Sequence, residues 1–153
     1  MTLGDILKLE TAVINQFTMK SNTDAVKGNL YCDDGSGGGL VLATPALAVA
    51  NKVVMALENH DYSEVSTHKI ACVVKGNVIA AKVSGSGLAA QGNKLMISGT
   101  AGAVGKFVKG AVSQANTFAT ATDQAAIDTN AGVVGYATKT SVDADVVQEM
   151  FLE

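Results

Sequence analysis

The sequence predicts a single all-β domain with at most one short helix. Glycine turn signals recur between runs of β-branched residues, as in the phrase Lys-Gly-Asn at residues 27–29 and again at 75–77. Such spacing is typical of an antiparallel meander. The chain has 153 residues, of which 48% are hydrophobic. A chain of this length buries enough surface to fold as one domain without disulfides or a metal.

The strand candidates follow one another along the chain with glycine or polar breaks between them. The first candidate, residues 5–9, lies inside residues 1–20, which we expect to form an extended N-terminal arm ahead of a main domain at residues 21–153. The further strands are predicted at residues 29–32, 39–43, 94–98, 105–108, 132–138 and 145–152.

Residues 44–57 interrupt this strand pattern. Thr44 suits an N-cap, Pro45 suits the first helical position, and the alanine- and leucine-rich residues that follow favour a helix. The apolar run at residues 53–57 is equally compatible with a buried strand. We expect at most a short helix here, followed by a strand.

The strongest local signal lies at residues 69–83. Two apolar runs, 69–75 and 78–83, are separated only by Gly76 and Asn77. Glycine supplies the positive φ that a type II′ turn needs at its first central position, and asparagine tolerates the second. The spacing predicts a Gly-Asn β-hairpin here, and the same chemistry predicts turns at residues 28–29 and 92–93.

The last strand candidate has two partly apolar faces. Alternation along a strand separates its side chains into two sets. One set is Val146, Gln148, Met150 and Leu152, and the other is Val147, Glu149 and Phe151. A strand with no cleanly polar face is typical of an edge or an interface, so the second set is a candidate interface.

Three stretches are predicted as loops. They are residues 33–38, which are rich in Asp and Gly, the polar residues 59–67, and the Thr-, Ala- and Gln-rich residues 111–131. A long excursion of low charge is uncommon in a compact domain unless it binds something or is ordered by a neighbour.

The charge content excludes several partners. Only 16% of the residues are charged, the net charge is −3, and all 11 positive residues are lysines. A nucleic-acid surface needs a positive stripe, usually with arginine, so we expect no nucleic-acid partner. The longest uncharged stretch, residues 35–51, is too short to cross a bilayer, so no membrane partner is expected. A surface of low charge favours packing against copies of the chain or a larger assembly.

The N-terminus and the cysteines point to the cytoplasm as the place of synthesis. Asp5, Lys8 and Glu10 interrupt the apolar core that a signal peptide requires. Cys32 and Cys72 each lie in an apolar run, where a free cysteine behaves as a small hydrophobe. Both are predicted to be buried, reduced thiols.

The glycine-rich motifs do not support a nucleotide site. Residues 85–90 fit a loose dinucleotide-binding pattern, but Gly92 interrupts the helix that this site requires. Residues 102–106 end like a phosphate loop, but Thr100 and Phe107 replace residues that the motif requires. No cofactor is expected.

The histidines and carboxylates are predicted to be structural. His60 and His68 lie in one polar stretch with Glu58, Asp61 and Glu64, and we interpret the histidines as solvated loop residues rather than metal ligands. The paired acids at residues 33–34 and 143/145 are interpreted as turn and strand-end residues. No catalytic residue and no metal ligand is assigned.

One enzyme class matches the chain in size. Trimeric all-β dUTP pyrophosphatases are of similar length, and residues 86–89 and 126–128 faintly resemble their motifs. Those enzymes rely on arginine at their phosphate sites, and this chain has none. This class is therefore a less favoured alternative.

Several segments, in order, resemble the capsid decoration (cement, or head-stabilising) proteins of tailed double-stranded DNA phages and related viruses. The similar phrases are short: the run at 53–58, an apolar strand and glycine turn at 69–78, residues 90–96 with Gly-Asn-Lys-Leu, residues 132–137 with Val-Gly-Tyr-Ala, and the closing strand at 145–152. The resemblance covers about residues 28–153, and residues 59–67 and 111–131 depart from it.

The resemblance implies a small β-barrel or β-tulip domain without enzymatic activity. It also implies a homotrimer on the outer surface of the expanded capsid, with the major capsid protein and copies of itself as partners. An N-terminal arm of such proteins adds a strand to the shell, which suggests a capsid-binding role for Asp5, Ile6, Leu7, Lys8 and Leu9. Val147, Glu149 and Phe151 are the candidate trimer or shell interface. A tail or fibre component is the alternative.

Overall fold

The computed structural model describes residues 2–98, 101–106 and 133–153. These residues form an antiparallel sheet that curls into a half-barrel, with one short helix. The all-β prediction is therefore confirmed. The strands are β1 (Val13–Thr18), β2 (Leu30–Asp33), β3 (Leu40–Leu42), β4 (Val54–Ala56), β5 (Lys69–Ala81), β6 (Lys94–Ile97), β7 (Val104–Lys106), β8 (Val133–Ala137) and β9 (Val147–Leu152).

The long strand β5 organises the sheet. The strand order is β3-β2-β4-β5-β9-β8-β6-β7, and β1 also pairs with β5. The first half of β5 pairs with β1 and β4, whereas residues 76–81 pair with β9. Each half of β5 thus belongs to a different part of the sheet, and the strand holds the two parts together.

The predicted hairpin at Gly76-Asn77 is wrong, because β5 runs through both residues without turning. Gly76 has a φ of +144°, a conformation that side chains rarely adopt, and a Cβ there would lie 3.0 Å from the Cα of Ala12. The glycine is required where the N-terminal segment crosses β5, not for a turn.

The other two Gly-Asn pairs do form turns. Gly28 and Gly92 have φ values of +85° and +86°, and the N–H groups of Asn29 and Asn93 donate to carbonyls three residues earlier. Neither turn joins two neighbouring strands, since they precede β2 and β6 and the strand before each pairs elsewhere. Both predicted turns are confirmed, but neither of them forms a Gly-Asn β-hairpin.

The half-barrel has apolar side chains on both sides of its central strands. In β2, Leu30 and Cys32 point into one cluster and Tyr31 points into the other. In β4, Met55 belongs to the first cluster and its two neighbours belong to the second. This two-sided burial explains why the run at residues 53–57 is apolar throughout.

Isolated bridges bring the outer strands back toward the centre. Met19, just after β1, bridges Leu40 in β3, and Val104 in β7 bridges Lys82 just after β5. Both bridges are parallel, unlike the ladders of the sheet. They curl each part of the sheet on itself.

The helix prediction is confirmed. Helix α1 (Pro45–Ala50) begins with proline, and the Thr44 hydroxyl accepts a hydrogen bond from the N–H of Leu47 at 3.3 Å. Strand β4 follows, as expected.

Most of the strand predictions are also confirmed. The described strands β2, β3, β6, β8 and β9 lie within the predicted ranges or extend one residue beyond them. Strand β7 covers the described part of the candidate at 105–108. The last strand is predicted to be an edge or an interface strand. Strand β9 lies between β5 and β8, so the edge alternative is wrong, and the interface alternative stays a prediction. Residues 111–131 lie outside the described residues.

Residues 2–20 lie along the sheet instead of extending from it as an arm. Within the predicted first strand only Ile6 forms a ladder contact, a bridge to Val78, and a 3-10 turn follows at Leu9–Thr11. Strand β1, which the sequence reading missed, then pairs with β5 over its whole length. The described N-terminal residues are therefore part of the folded sheet.

Candidate binding face

The most distinctive surface feature is a row of four side chains across four neighbouring strands. Phe151 of β9 pairs with Tyr136 of β8, and Tyr136 pairs with Lys94 of β6. The two aromatic rings are stacked, with centroids 5.4 Å apart and an angle of 21°. The Nζ atom of Lys75 in β5 lies 5.7 Å from the centre of the Phe151 ring. We call Lys75, Phe151, Tyr136 and Lys94 the lysine–aromatic row.

Strand alternation places this row on the outer side of the sheet. The neighbours Met150 and Leu152 are fully buried in the core, whereas Tyr136 remains 38% exposed. Val147, on the same side of β9, is 39% exposed. Aromatic and apolar groups that remain in contact with water next to charged residues are typical of protein interaction surfaces.

Two of the grooves on the described surface have volumes of about 450 Å³ and about 430 Å³. The second, smaller groove adjoins the lysine–aromatic row. The second groove is lined by Tyr136 and Lys94 together with Gly92, Val133, Gly135 and Glu153. Its lining combines one ammonium group, that of Lys94, with the carboxylate of Glu153. Such a lining suits a mixed polar and apolar partner.

The charges of the row are largely uncompensated. Among the described residues neither Lys75 nor Lys94 forms a salt bridge, whereas the Nζ of Lys139 lies 3.2 Å from the Oε1 of Glu149. Desolvation lowers the pKa of Lys52, and repulsion from Lys75 lowers it further. The carboxylate of Glu153 partly offsets this decrease. In the part that the structure describes, Lys52, Lys75 and Lys94 therefore outnumber the one carboxylate beside them, that of Glu153, on a chain with a net charge of −3.

The predicted interface residues Val147, Glu149 and Phe151 all lie on this outer face, and Phe151 is part of the row. The sequence reading missed Tyr136, Lys75 and Lys94. The alternation in Val-Gly-Tyr-Ala at 134–137 could have indicated Tyr136. The two lysines come from strands far away in the sequence, and no local pattern links them to Phe151.

The predicted capsid-binding residues Asp5, Ile6, Leu7, Lys8 and Leu9 lie elsewhere, along β5. The N–H of Ile79 donates to the carbonyl of Asp5 at 3.0 Å, and the N–H of Leu7 donates to the carbonyl of Asn77 at 2.8 Å. Strand addition requires free backbone groups, and these are already used within the chain. A capsid contact by these five residues stays a prediction.

The two histidines meet in the structure. The Nε2 of His60 lies 3.2 Å from the Nδ1 of His68, and the ring of Tyr62 is stacked on His68 at 3.7 Å. His60 is only 7% exposed, so its interpretation as a solvated residue is wrong. Within residues 2–98, 101–106 and 133–153, no group of three or more potential ligands is close enough to hold a metal ion.

An acidic hollow of about 310 Å³ lies beside the histidines. It is lined by Asp24, Asp61, Tyr62, Ser63 and Asn22. The Oδ1 of Asp24 accepts a hydrogen bond from the N–H of Tyr62 at 2.8 Å. The Oδ1 of Asp61 accepts from the hydroxyl and the N–H of Ser63, and these bonds lower the pKa of Asp61. Both carboxylates are held in place.

The glycine loop at residues 85–87 is occupied by the chain itself. The N–H of Gly85 donates to the carbonyl of Asp143, and the N–H of Gly87 donates to its carboxylate. These N–H groups are the ones that a phosphate would need. The loop therefore serves to connect two segments of the sheet.

Both cysteines are free and buried, as predicted. Burial raises the pKa of the Cys72 thiol to about 12 and also raises the pKa of Cys32. The described residues contain no helix long and apolar enough to cross a membrane.

No protein-family model, curated protein or solved structure matches this chain.

Proposed function

We propose that this chain is a capsid decoration protein, a structural component without enzymatic activity. It binds the outer surface of the expanded viral capsid as a homotrimer and stabilises the shell against the pressure of the packaged DNA. Its partners are the major capsid protein and other copies of the chain. It is synthesised in the cytoplasm of the host.

The observation that carries the proposal is the exposed outer face of β8 and β9. Tyr136, Phe151 and Val147 present apolar surface there beside uncompensated lysines. A protein whose role is to contact other proteins benefits from such a face, because buried aromatic groups dominate the energy of interfaces. The ordered short motifs that resemble decoration proteins support the same assignment.

Symmetry would strengthen weak contacts. Three linked copies on one capsid position bind together, so the overall affinity exceeds that of each contact without any larger interface. A modest face such as this one is then sufficient for a clamp between neighbouring capsomers.

The experiment uses capsids of the virus whose genome encodes the chain. Expanded capsids that lack the protein are mixed with the purified chain and sedimented, with unexpanded procapsids as the control. We expect binding to expanded capsids and a higher temperature of capsid disruption. Electron microscopy of virions then locates the chain. Failure to bind, or a position on the tail or fibre, would refute the proposal.

A further inference from the structure

The chain carries two charged surfaces of opposite sign. The first is the lysine–aromatic row, where Lys75 and Lys94 flank two stacked rings. The second is the acidic hollow, where Asp24 and Asp61 are oriented by hydrogen bonds. In the described part of the chain none of these four charged groups forms a salt bridge.

Lys75 of the row lies far along β5 from the acidic hollow. Tyr62 of the hollow is stacked on His68, which precedes β5, whereas Lys75 lies seven residues further along the chain. At roughly 3.3 Å per residue of strand, this separation is about 23 Å. Within the described residues of one copy neither lysine forms a salt bridge with Asp24 or Asp61, so these charges are open to a second molecule.

We propose that the lysine–aromatic row of one copy binds the acidic hollow of the next copy. Lys75 and Lys94 contact Asp24 and Asp61, and the outer surface of Tyr136 packs at the centre of the contact. The occupant of both surfaces is thus a second copy of this chain. The proposal deepens the trimeric part of the proposed function and rests on it.

The charges support this occupant. Because the chain is acidic overall, two copies that approach each other in a random orientation repel weakly. The positive charge of the lysine–aromatic row turns this repulsion into attraction where the row faces an acidic surface. Complementary charges steer the encounter and fix the register of an interface. The carboxylates need no reorganisation, because Tyr62 and Ser63 already hold them.

The proposed contact takes the heterologous form, in which each copy gives its row to one neighbour and its hollow to the other. Such contacts generate a ring when the rotation between neighbours closes and a filament when it does not. A closed ring of three satisfies every row and every hollow and agrees with the proposed homotrimer. A reciprocal twofold dimer would also pair them, and the mass of the assembly distinguishes the two.

The test measures the mass of the assembly by light scattering at several protein concentrations, at low and at high salt. We expect the unmodified chain to assemble and to dissociate more readily at high salt. The row variant Lys75→Glu with Lys94→Glu should weaken assembly by about a hundredfold, because like charges then face each other. The hollow variant Asp24→Lys with Asp61→Lys should do the same.

The decisive variant combines all four changes in one chain, which reverses both surfaces together. Assembly should return to within about tenfold of the unmodified chain. The control, Lys27→Glu with Lys139→Glu, changes the net charge as the row variant does. Both lysines form surface ion pairs outside the row and the hollow, so assembly should be unchanged. If the lysine substitutions in the hollow prevent folding, Asp24→Asn with Asp61→Asn replaces them, because asparagine keeps the acceptor oxygen and removes the charge. This variant should weaken assembly by about tenfold.

The inference is overturned if the unmodified chain is monomeric at every concentration, if the folded row variant assembles normally, or if the folded four-change chain stays dissociated. Capsid sedimentation is a separate readout. A chain that binds capsids but remains a monomer refutes this contact and leaves the shell-binding role intact. A chain that shows the charge-swap rescue but ignores capsids refutes the shell-binding role alone.

Discussion

The backbone of Gly135 lies directly against the carbonyl oxygen of Phe151, so closely that a Cβ on Gly135 would overlap that oxygen. Gly135 pairs with Leu152 across β8 and β9, beneath the aromatic pair. The absence of a side chain at this position lets the two strands approach each other, and the outer face of the sheet depends on that approach.

Gly135→Ala should therefore destabilise the protein. The new methyl group must displace the backbone of β9, and overpacking of this kind costs about 1–3 kcal/mol. Urea unfolding followed by circular dichroism measures the change. Gly105→Ala is the matched control, because Gly105 also lies in a strand but a Cβ there would meet its nearest neighbour, Ser98, at 3.4 Å. Equal effects of the two substitutions would contradict the argument.

Gln148→Met should cost about 2 kcal/mol of unfolding free energy, because it removes the hydrogen bonds of a buried side chain and takes from the Lys139 carbonyl and the Ser141 hydroxyl the partner that Gln148 supplies. The Nε2 of Gln148 donates to the carbonyls of Lys139 and Glu149, and its Oε1 accepts from the hydroxyl of Ser141. Gln16→Met, on exposed β1, is the control and should change stability by less than about 0.5 kcal/mol. Denaturant titration of both variants decides; a small effect at residue 148 would show that the network contributes little.

The two thiols should resist modification in the native protein. Burial disfavours the reactive thiolate, and it raises the pKa of Cys72 to about 12. At pH 8 we expect labelling by an aromatic disulfide reagent to be at least about a hundredfold slower in buffer than in denaturant. The Cys72→Ala and Cys32→Ala variants assign the remaining signal. Rapid labelling of either cysteine under native conditions would be inconsistent with the described core.

The loop at residues 33–38 should lose order at acidic pH. Hydrogen bonds from Lys20 and Ser36 hold the pKa of Asp34 well below its ordinary value of 3.8. A lowered pKa in the folded state gives a stabilisation that is present in full above the ordinary value of 3.8. It is lost progressively as the pH falls from there through the lowered pKa of the folded state. Hydrogen exchange of the Gly35 to Gly38 amides at pH 7 and at about pH 2, compared as protection factors, tests this. In Asp34→Asn the difference between the two pH values should shrink; an unchanged difference would exclude Asp34 as its source.

Local sequence patterns predicted much of the fold, because they act within a few residues. The N-cap at Thr44 and the proline after it predicted α1, and alternation separated the side chains of the last strand into two sets. The two cysteines were predicted to be buried from the apolar residues around them. None of these inferences requires knowledge of a distant neighbour.

The sequence alone therefore determined the all-β class, the short helix, most strand positions and the two sets of side chains of the last strand, whereas the interface role of Val147, Glu149 and Phe151 stays a prediction. Only the tertiary structure decided that Gly76 admits Ala12 instead of making a turn, that the N-terminal residues lie along β5, and that Lys75 and Lys94 flank the aromatic pair. The physical reason is that a glycine permits both a turn and a close approach. Which of the two occurs depends on the strand that lies beside it, and that strand comes from a distant part of the chain.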